Sequence, residues 1–177
     1  MRSRAGRMSV SIETERFLLR ELAESDATTR YLNWFRDSET RNYIASASRT
    51  KEIGDLRRYI RDRRDRRDVL FLGIFDKMSG THIGNVKYEP VDEYKGYAVM
   101  GMLIGDNAYR GKGVALEVLL ASGEWLKSHR DLKEIVLGVR RDNSGAIRAY
   151  EKVGYRVAVT PHLPPAAEDS LTMVWSL

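Results

Sequence analysis

The sequence predicts an α/β fold, a mixed central β-sheet flanked by helices in a single domain, and three observations carry that prediction. Strand-like and helix-like periodicities follow one another in the order β, two helices, then a three-strand meander whose last strand opens β-α-β-α-β-β. Two runs, residues 69–75 (VLFLGIF) and 97–104 (YAVMGMLI), are almost continuously apolar, as strands covered on both faces must be. The length of 177 residues suits one domain, and a chain of that size buries roughly 70% of its unfolded surface, enough to need no covalent staples.

Residues 16–22 (RFLLREL) read as a first strand with Arg and Glu outward. Asp26 is placed to cap a helix running through Tyr31, Leu32, Trp34 and Phe35. A second helix is expected over 51–67, with Ile53, Leu56, Tyr59 and Ile60 as its apolar stripe. After the strand at 69–75, residues 76–80 (DKMSG) make a turn and 81–89 return as the hairpin partner. The strand at 97–104 comes next, and Gly101 inside it signals a bulge or a close backbone approach. A helix over 114–127 carries Ala115, Val118, Leu119, Trp125 and Leu126 on one face. Residues 135–139 form a strand and 143–153 a second strong helix, with Asp142 or Asn143 as its cap and Gly154 just past its end. Residues 155–160 and 170–175 close the sheet around a loop at 161–167. The domain is expected over 12–177, preceded by a flexible lead-in at 1–11.

Without a single cysteine, the chain has no disulfide, no cysteine-based zinc site and no thiol nucleophile. His82, His129 and His162 are scattered without metal-ligand spacing, so no metal is expected. No apolar run reaches the ~18 to 20 residues that span a bilayer, and the arginines of the first ten residues precede no apolar stretch, so neither a membrane span nor a secretory signal is expected and the setting is read as cytoplasmic. The net charge is +5, and residues 57–68 (RRYIRDRRDRRD) hold seven Arg against three Asp. A nucleic-acid footprint is one reading of such a stripe. A solvated helix face with Arg–Asp pairs three and four apart is the other, and it is preferred because no aromatic row accompanies the charge.

Between strand 97–104 and helix 114–127 the chain runs through Gly105, Arg110, Gly111, Lys112 and Gly113, an arrangement that turns free backbone N–H groups toward an anion. A Walker A loop fails, because Arg110 stands where its second glycine belongs and Gly113 follows Lys112. A dinucleotide fingerprint fails too, since counting from Gly111 and Gly113 lands on Leu116. Arg110-Gly111-Lys112-Gly113-Val114-Ala115 instead resembles the [QR]-x-x-G-x-[GA] loop of the GNAT superfamily of acyl-CoA N-acyltransferases. Downstream, Asn143 opens a helix that continues A-I-R-A-Y-E-K-V-G-Y from Ala146 to Tyr155, similar to the second signature of that family. Residues 31–37 (YLNWFRD), 84–87 (GNVK) and 103–106 (LIGD) resemble the branch holding ribosomal-protein alanine, polyamine and sugar-nucleotide acetyltransferases. The likeness runs from about residue 12 onward.

That resemblance implies the GNAT fold and acetyl-CoA as co-substrate, with direct transfer of the acetyl group. Backbone groups of Met102, Leu103 and Ile104 would hold the pantetheine arm, one N–H among them serving a developing oxyanion. Arg110, Gly111, Lys112, Gly113, Val114 and Ala115 would hold the pyrophosphate. Tyr150 matches the acid that protonates the departing thiolate, and Asn143 the residue that steadies the cofactor arm; aromatic packing and helix capping are their plainer roles. Trp34, Tyr43, Tyr88 and Glu89 are expected to line the acceptor pocket, with burial in the core as the alternative for the aromatic ones. One departure stands out: relatives often carry Glu where this chain has Val99, so the base must come from elsewhere or act through water, with Glu89, Asp92 and Glu93 as candidates and solvated loop carboxylates as their plainer reading.

Three functions follow. The preferred one is acetylation of a small-molecule amine such as an amino sugar or sugar nucleotide. The second is acetylation of a protein N-terminus, such as that of a ribosomal protein, with the 57–67 arginines docking rRNA or an acidic partner. The third, motivated by Val99, is a non-catalytic acyl-CoA-binding module. The closing strands offer a face for a homodimer.

Overall fold

Eight strands form one sheet in the order β1-β2-β3-β4-β5-β6-β8-β7, antiparallel throughout except between β5 and β6. The computed structural model describes residues 9–43 and 49–177. β1 (Ser11–Glu13) and β2 (Phe17–Glu21) pair at one edge, with Ser11 opposite Arg20. Val10 is already buried, so the packed chain begins before the residue at which the domain was expected to start; residues 1–8 of the expected lead-in lie outside the described residues.

β3 (Leu70–Asp76) is buried along nearly its whole length, as its continuous apolar run predicts. Leu70, Leu72 and Ile74 enter the core under α4 (Val114–Arg130) and α5 (Ser144–Val153), while Phe71 and Phe75 enter a second core under α1 (Thr29–Trp34) and α3 (Ile53–Arg64). Period-two alternation thus sends one strand's side chains into two cores on opposite faces of the sheet.

Several boundaries move for local reasons. Asp26 does not cap α1: its carboxylate accepts the Ala23 N–H and a two-pronged bond from Arg20, closing a short 3-10 turn, and Thr28 caps the helix through Tyr31 N–H. A further short helix, α2 (Ser38–Tyr43), follows α1. β4 (His82–Asp92) runs past Pro90 with a register shift between Tyr88 and Val91. The irregularity expected at Gly101 is therefore on the neighbouring strand; Gly101 keeps register with Lys87, and a Cβ there would meet nothing within 4 Å. β5 (Tyr97–Ile104) is not covered on both faces throughout, since its half from Gly101 to Ile104 is exposed or partly exposed. β6 (Glu134–Arg140) and β8 (Ser170–Ser176) pair along their full length, and the expected strand at 155–160 shrinks to β7 (Arg156–Val157). Among the described residues, no helix is long and apolar enough to cross a membrane.

Candidate active site

The parallel pair β5–β6 holds together only at its start, through Tyr97–Glu134, Ala98–Ile135 and Val99–Val136. Beyond Val99 the strands part, β6 staying beside β8 and β5 beside β4. The edge of β5 from Met100 to Ile104 therefore has no ladder on the β6 side, and its backbone groups there require other partners. Ile104 finds one: its carbonyl accepts from Arg110 Nε at 3.0 Å.

The loop after β5 is built for close approach. Gly111 and Gly113 hold φ of 71° and 76°, the left-handed region that side chains with a Cβ avoid. A Cβ at Gly111 would meet nothing within 4 Å, and one at Gly113 only Arg16 Nη2 at 3.7 Å. Gly113 is also the cap residue of α4 and offers no side chain to the first N–H groups of that helix. An uncapped helix N-terminus above two bare glycines fits a diphosphate such as that of acetyl-CoA. Val114 turns its side chain into the core, so only its backbone is available to a ligand, while Lys112 is exposed and Ala115 partly buried. Arg110 points its guanidinium away from the glycines, toward Ile104 O, Thr40 Oγ1 (3.3 Å) and Asp37 (3.5 Å). A different cation stands at the loop: Arg16 bonds Lys112 O at 3.0 Å and Glu117 at 2.6 Å. Sequence reasoning missed it because Arg16 lies about a hundred residues away in the chain.

On α5, Asn143 caps the helix by accepting the Ala146 N–H at 3.3 Å. Tyr150 packs against the same core as Met102 and Ile104, its ring 5.7 Å from that of Tyr155. Burial pushes its hydroxyl up to about 12, so it holds its proton at neutral pH.

The opposite face of the sheet carries a cleft of about 590 Å³. Its floor is the β3–β4–β5 surface, where Phe71, Lys87 and Gly101 form one row and Asn85 and Leu103 the next. α1 contributes Tyr31, α2 Tyr43, and α3 the pair Tyr59 and Arg63. Arg63 lies over the Tyr59 ring at 3.6 Å, and Lys87 Nζ donates to the Tyr59 hydroxyl at 2.8 Å. Behind this wall Glu89 accepts from Lys87 (2.8 Å), Arg63 (2.9 Å) and Arg66 (2.5 Å). Burial works against its charge, but Lys87 and Arg63 outweigh burial and hold the carboxyl below its usual range. His82 sits in the core under α1, on the cleft side of the sheet, among Tyr31, Trp34 and Phe75. Its Nε2 faces two oxygens, Gly84 O (3.0 Å) and Asn85 Oδ1 (2.8 Å). The carbonyl can only accept, so Nε2 carries the hydrogen and Nδ1 is left buried without a partner among the described residues.

Of the expected acceptor-side residues, Tyr43 lines the cleft. Tyr88 does not: it is fully buried on the far face of β4, its hydroxyl bonded to Ser122 Oγ at 2.7 Å. Alternation along 84–89 explains this, since Val86 and Tyr88 share the core face while Asn85, Lys87 and Glu89 share the other. Trp34 is also a packing residue, lying so close over Gly105 that a Cβ there would fall 1.9 Å from its Cδ2. Glu89 stands behind the cleft wall, bonded to two of its cations. Neither Asp92 nor Glu93 is in the cleft lining; Asp92 Oδ1 accepts the Lys95 N–H, and Glu93 pairs with Arg130. Tyr59, Arg63, Asn85 and Lys87 went unassigned in the sequence, although the polar–apolar alternation of β4 carried the signal for the last two. Among the described residues no group of three His, Asp or Glu side chains could hold a metal ion.

Residues 16–156 match the acetyltransferase (GNAT) domain family. The mycothiol acetyltransferase of Corynebacterium efficiens is 37% identical over 91 residues, 51% of this chain; the match spans only 28% of that relative's length. In three dimensions an acetyltransferase of the GNAT family from Bacillus anthracis superposes with a TM-score of 0.77 at 17% identity, covering 94% of this chain and 98% of the other. A ribosomal L7/L12 alpha-N-protein acetyltransferase in complex with coenzyme A reaches 0.81 at 13% identity, covering 95% and 98%. With a family match over most of its length and the parted strands and glycine loop in place, the chain belongs to the GNAT acetyltransferase family.

Proposed function

We propose that the protein transfers an acetyl group from acetyl-CoA directly to the primary amine of a small molecule, with an amino sugar or sugar nucleotide as the acceptor class. The observation that carries this reading is the position of β5 between two sites: its free edge leads to the glycine cradle, and its Gly101–Leu103 segment forms the floor of the cleft. A volume of about 590 Å³ suits a small molecule.

Acetyl-CoA supplies the acetyl group already activated as a thioester. The backbone of Met102 to Ile104 orients the arm that carries it, and residues 111–115 hold its diphosphate through their N–H groups and the charge of Lys112, the Arg110 N–H being taken by Asn107 O. In the reaction the acceptor nitrogen bonds to the acetyl carbon and gives one proton to water, the carbon–sulfur bond breaks, and the sulfur takes the Tyr150 proton, which water then restores. Burial keeps this hydroxyl protonated, so a proton is in place to be donated as the thiolate forms. Asn143 steadies the start of α5, which carries Tyr150.

The test is acetyl-CoA titration by calorimetry together with thiol release over a panel of amines, for wild type and Tyr150→Phe. Wild type is expected to bind and turn over, while Tyr150→Phe binds with unchanged affinity and turns over about 10² to 10⁴-fold more slowly. Turnover on peptide N-termini alone overturns the small-molecule reading. Binding without turnover on any amine or peptide would point to a module that only binds acyl-CoA.

A further inference from the structure

We infer that the acceptor carries an anionic group, a carboxylate or a phosphate, held by a cationic wall of Lys87, Arg63 and Arg58 that also keeps the acceptor amine uncharged. The inference rests on reading the cleft as the acceptor site of a transferase. It names a recognition element and replaces the missing base with an electrostatic device.

The wall has more cations than its carboxylates can neutralise. Glu89 is shared by Lys87, Arg63 and Arg66, and Arg66 has Asp68 as its own second partner. One positive charge in this cluster is therefore left over at the cleft. Arg58 pairs with Asp55 at 2.8 Å but stays more than half exposed, free to swing to a ligand, and Arg49 adds a cation at the mouth. Asp62, on the exposed rim, opposes them. The inner cations are also fixed in place before any ligand arrives. Arg63 is stacked on Tyr59, and Lys87 is bonded to the Tyr59 hydroxyl, so little side-chain freedom remains to be lost on binding.

Lys87 has a second consequence. It stands in register with Gly101, at the β5 segment where transfer is proposed, and Gly101 leaves the space above itself open. An ammonium cannot attack a thioester, and a like charge within about 4 to 6 Å disfavours the protonated form of an amine. Val99 cannot take a proton, and Glu89, bound to Lys87, Arg63 and Arg66, is a poor base. A cationic floor answers the same need differently: the acceptor sheds its ammonium proton to water on entering, and attacks as the free amine. The remaining proton on nitrogen also leaves to water after the bond forms, and Tyr150 supplies the proton taken by sulfur. Such a floor repels a polyamine; an anionic group on the acceptor restores the attraction.

The test uses matched probes, glucosamine 6-phosphate against glucosamine and tyrosine against tyramine, with spermidine as the cationic extreme. Each is titrated calorimetrically into CoA-saturated protein, for wild type, Lys87→Met and Arg58→Ala, after thermal unfolding shows each variant folded. At least one anionic probe is expected to bind about tenfold or more tightly than its partner, and to lose about tenfold in Lys87→Met or Arg58→Ala. With an accepted substrate, the acid limb of kcat/KM is expected to move to higher pH in Lys87→Met, because the acceptor amine regains its ordinary basicity; a merely structural loss would lower the profile without shifting it. The inference is overturned if no anionic probe binds, if the partners without the acid group or spermidine bind as well, or if neither substitution weakens binding of the anionic probe. Anion binding with no thiol release overturns the transferase reading alone, and turnover confined to uncharged or polycationic amines overturns this inference alone.

Discussion

Tyr150 and His82 are both partly or wholly withdrawn from water, and burial acts on them in opposite directions. For Tyr150 it raises the hydroxyl to about 12, which preserves a proton donor. For His82 it lowers the imidazole below 6.5, so the folded protein keeps the ring neutral among Tyr31, Trp34 and Phe75. The unfolded chain takes up a proton at His82 as pH falls below about 6.5, and the folded chain does so only at lower pH. The stability that the neutral ring contributes is thus present above that value and lost as pH falls through the interval below it. Asp26 and Glu89, whose carboxyls are held below the usual carboxylate range, lose their contributions only at more acidic pH. Thermal unfolding between pH 7 and pH 5 should therefore show a larger drop in Tm for wild type than for His82→Gln. Equal drops would mean that His82 does not supply the acid sensitivity.

At the scale of elements, the loop after β5 and the alternation of β4 show how local chemistry becomes a site. Gly113 combines a left-handed φ, which disfavours a side chain, with the cap position of α4, where a capping Ser, Thr, Asp or Asn would otherwise cover the first N–H groups. Gly113→Val should cost about 1 to 2 kcal/mol from backbone strain alone, lowering Tm by several degrees. It should also weaken acetyl-CoA binding about tenfold or more, because the branched side chain stands where the diphosphate approaches; calorimetry and unfolding on the same sample separate the two effects. An unchanged affinity would remove the loop from the cofactor site. This loop was legible in the sequence because its conformation depends on residues adjacent in the chain. β4 was half legible. Its alternation fixes which side chains share a face, and read that way it places Tyr88 with Val86 in the core. Treating Tyr88 as a pocket residue ignored that period.

Across the whole molecule, one sheet separates two cores, and the proposed cofactor and acceptor sites meet along β5. Arg110 bridges them. It belongs to the loop after β5, yet its guanidinium bonds the end of that strand and reaches Asp37 and Thr40, and Thr40 belongs to α2, the helix that brings Tyr43 to the cleft. Arg110→Ala should therefore raise the KM for the acceptor several-fold with a smaller change in the acetyl-CoA Kd, since the backbone N–H groups of the cradle remain. A loss confined to acetyl-CoA affinity would return Arg110 to the direct phosphate-binding role that its place in the motif suggests.

By itself the sequence determined the family, the order of the elements apart from the short β1 and α2, the glycine loop and the capped helix that carries Tyr150, since each depends on periodicity or on neighbours within a few residues. The tertiary structure alone decided which side chains face the cleft. Tyr59 and Arg63 come from a helix, Lys87 and Glu89 from a strand more than twenty residues on, and Arg16 reaches the cradle from the far end of the chain. Their charges and contacts depend on distances across the sheet, which no local pattern records; the residue at position 99 told only that a carboxylate was missing, and the fold told what stands nearby instead.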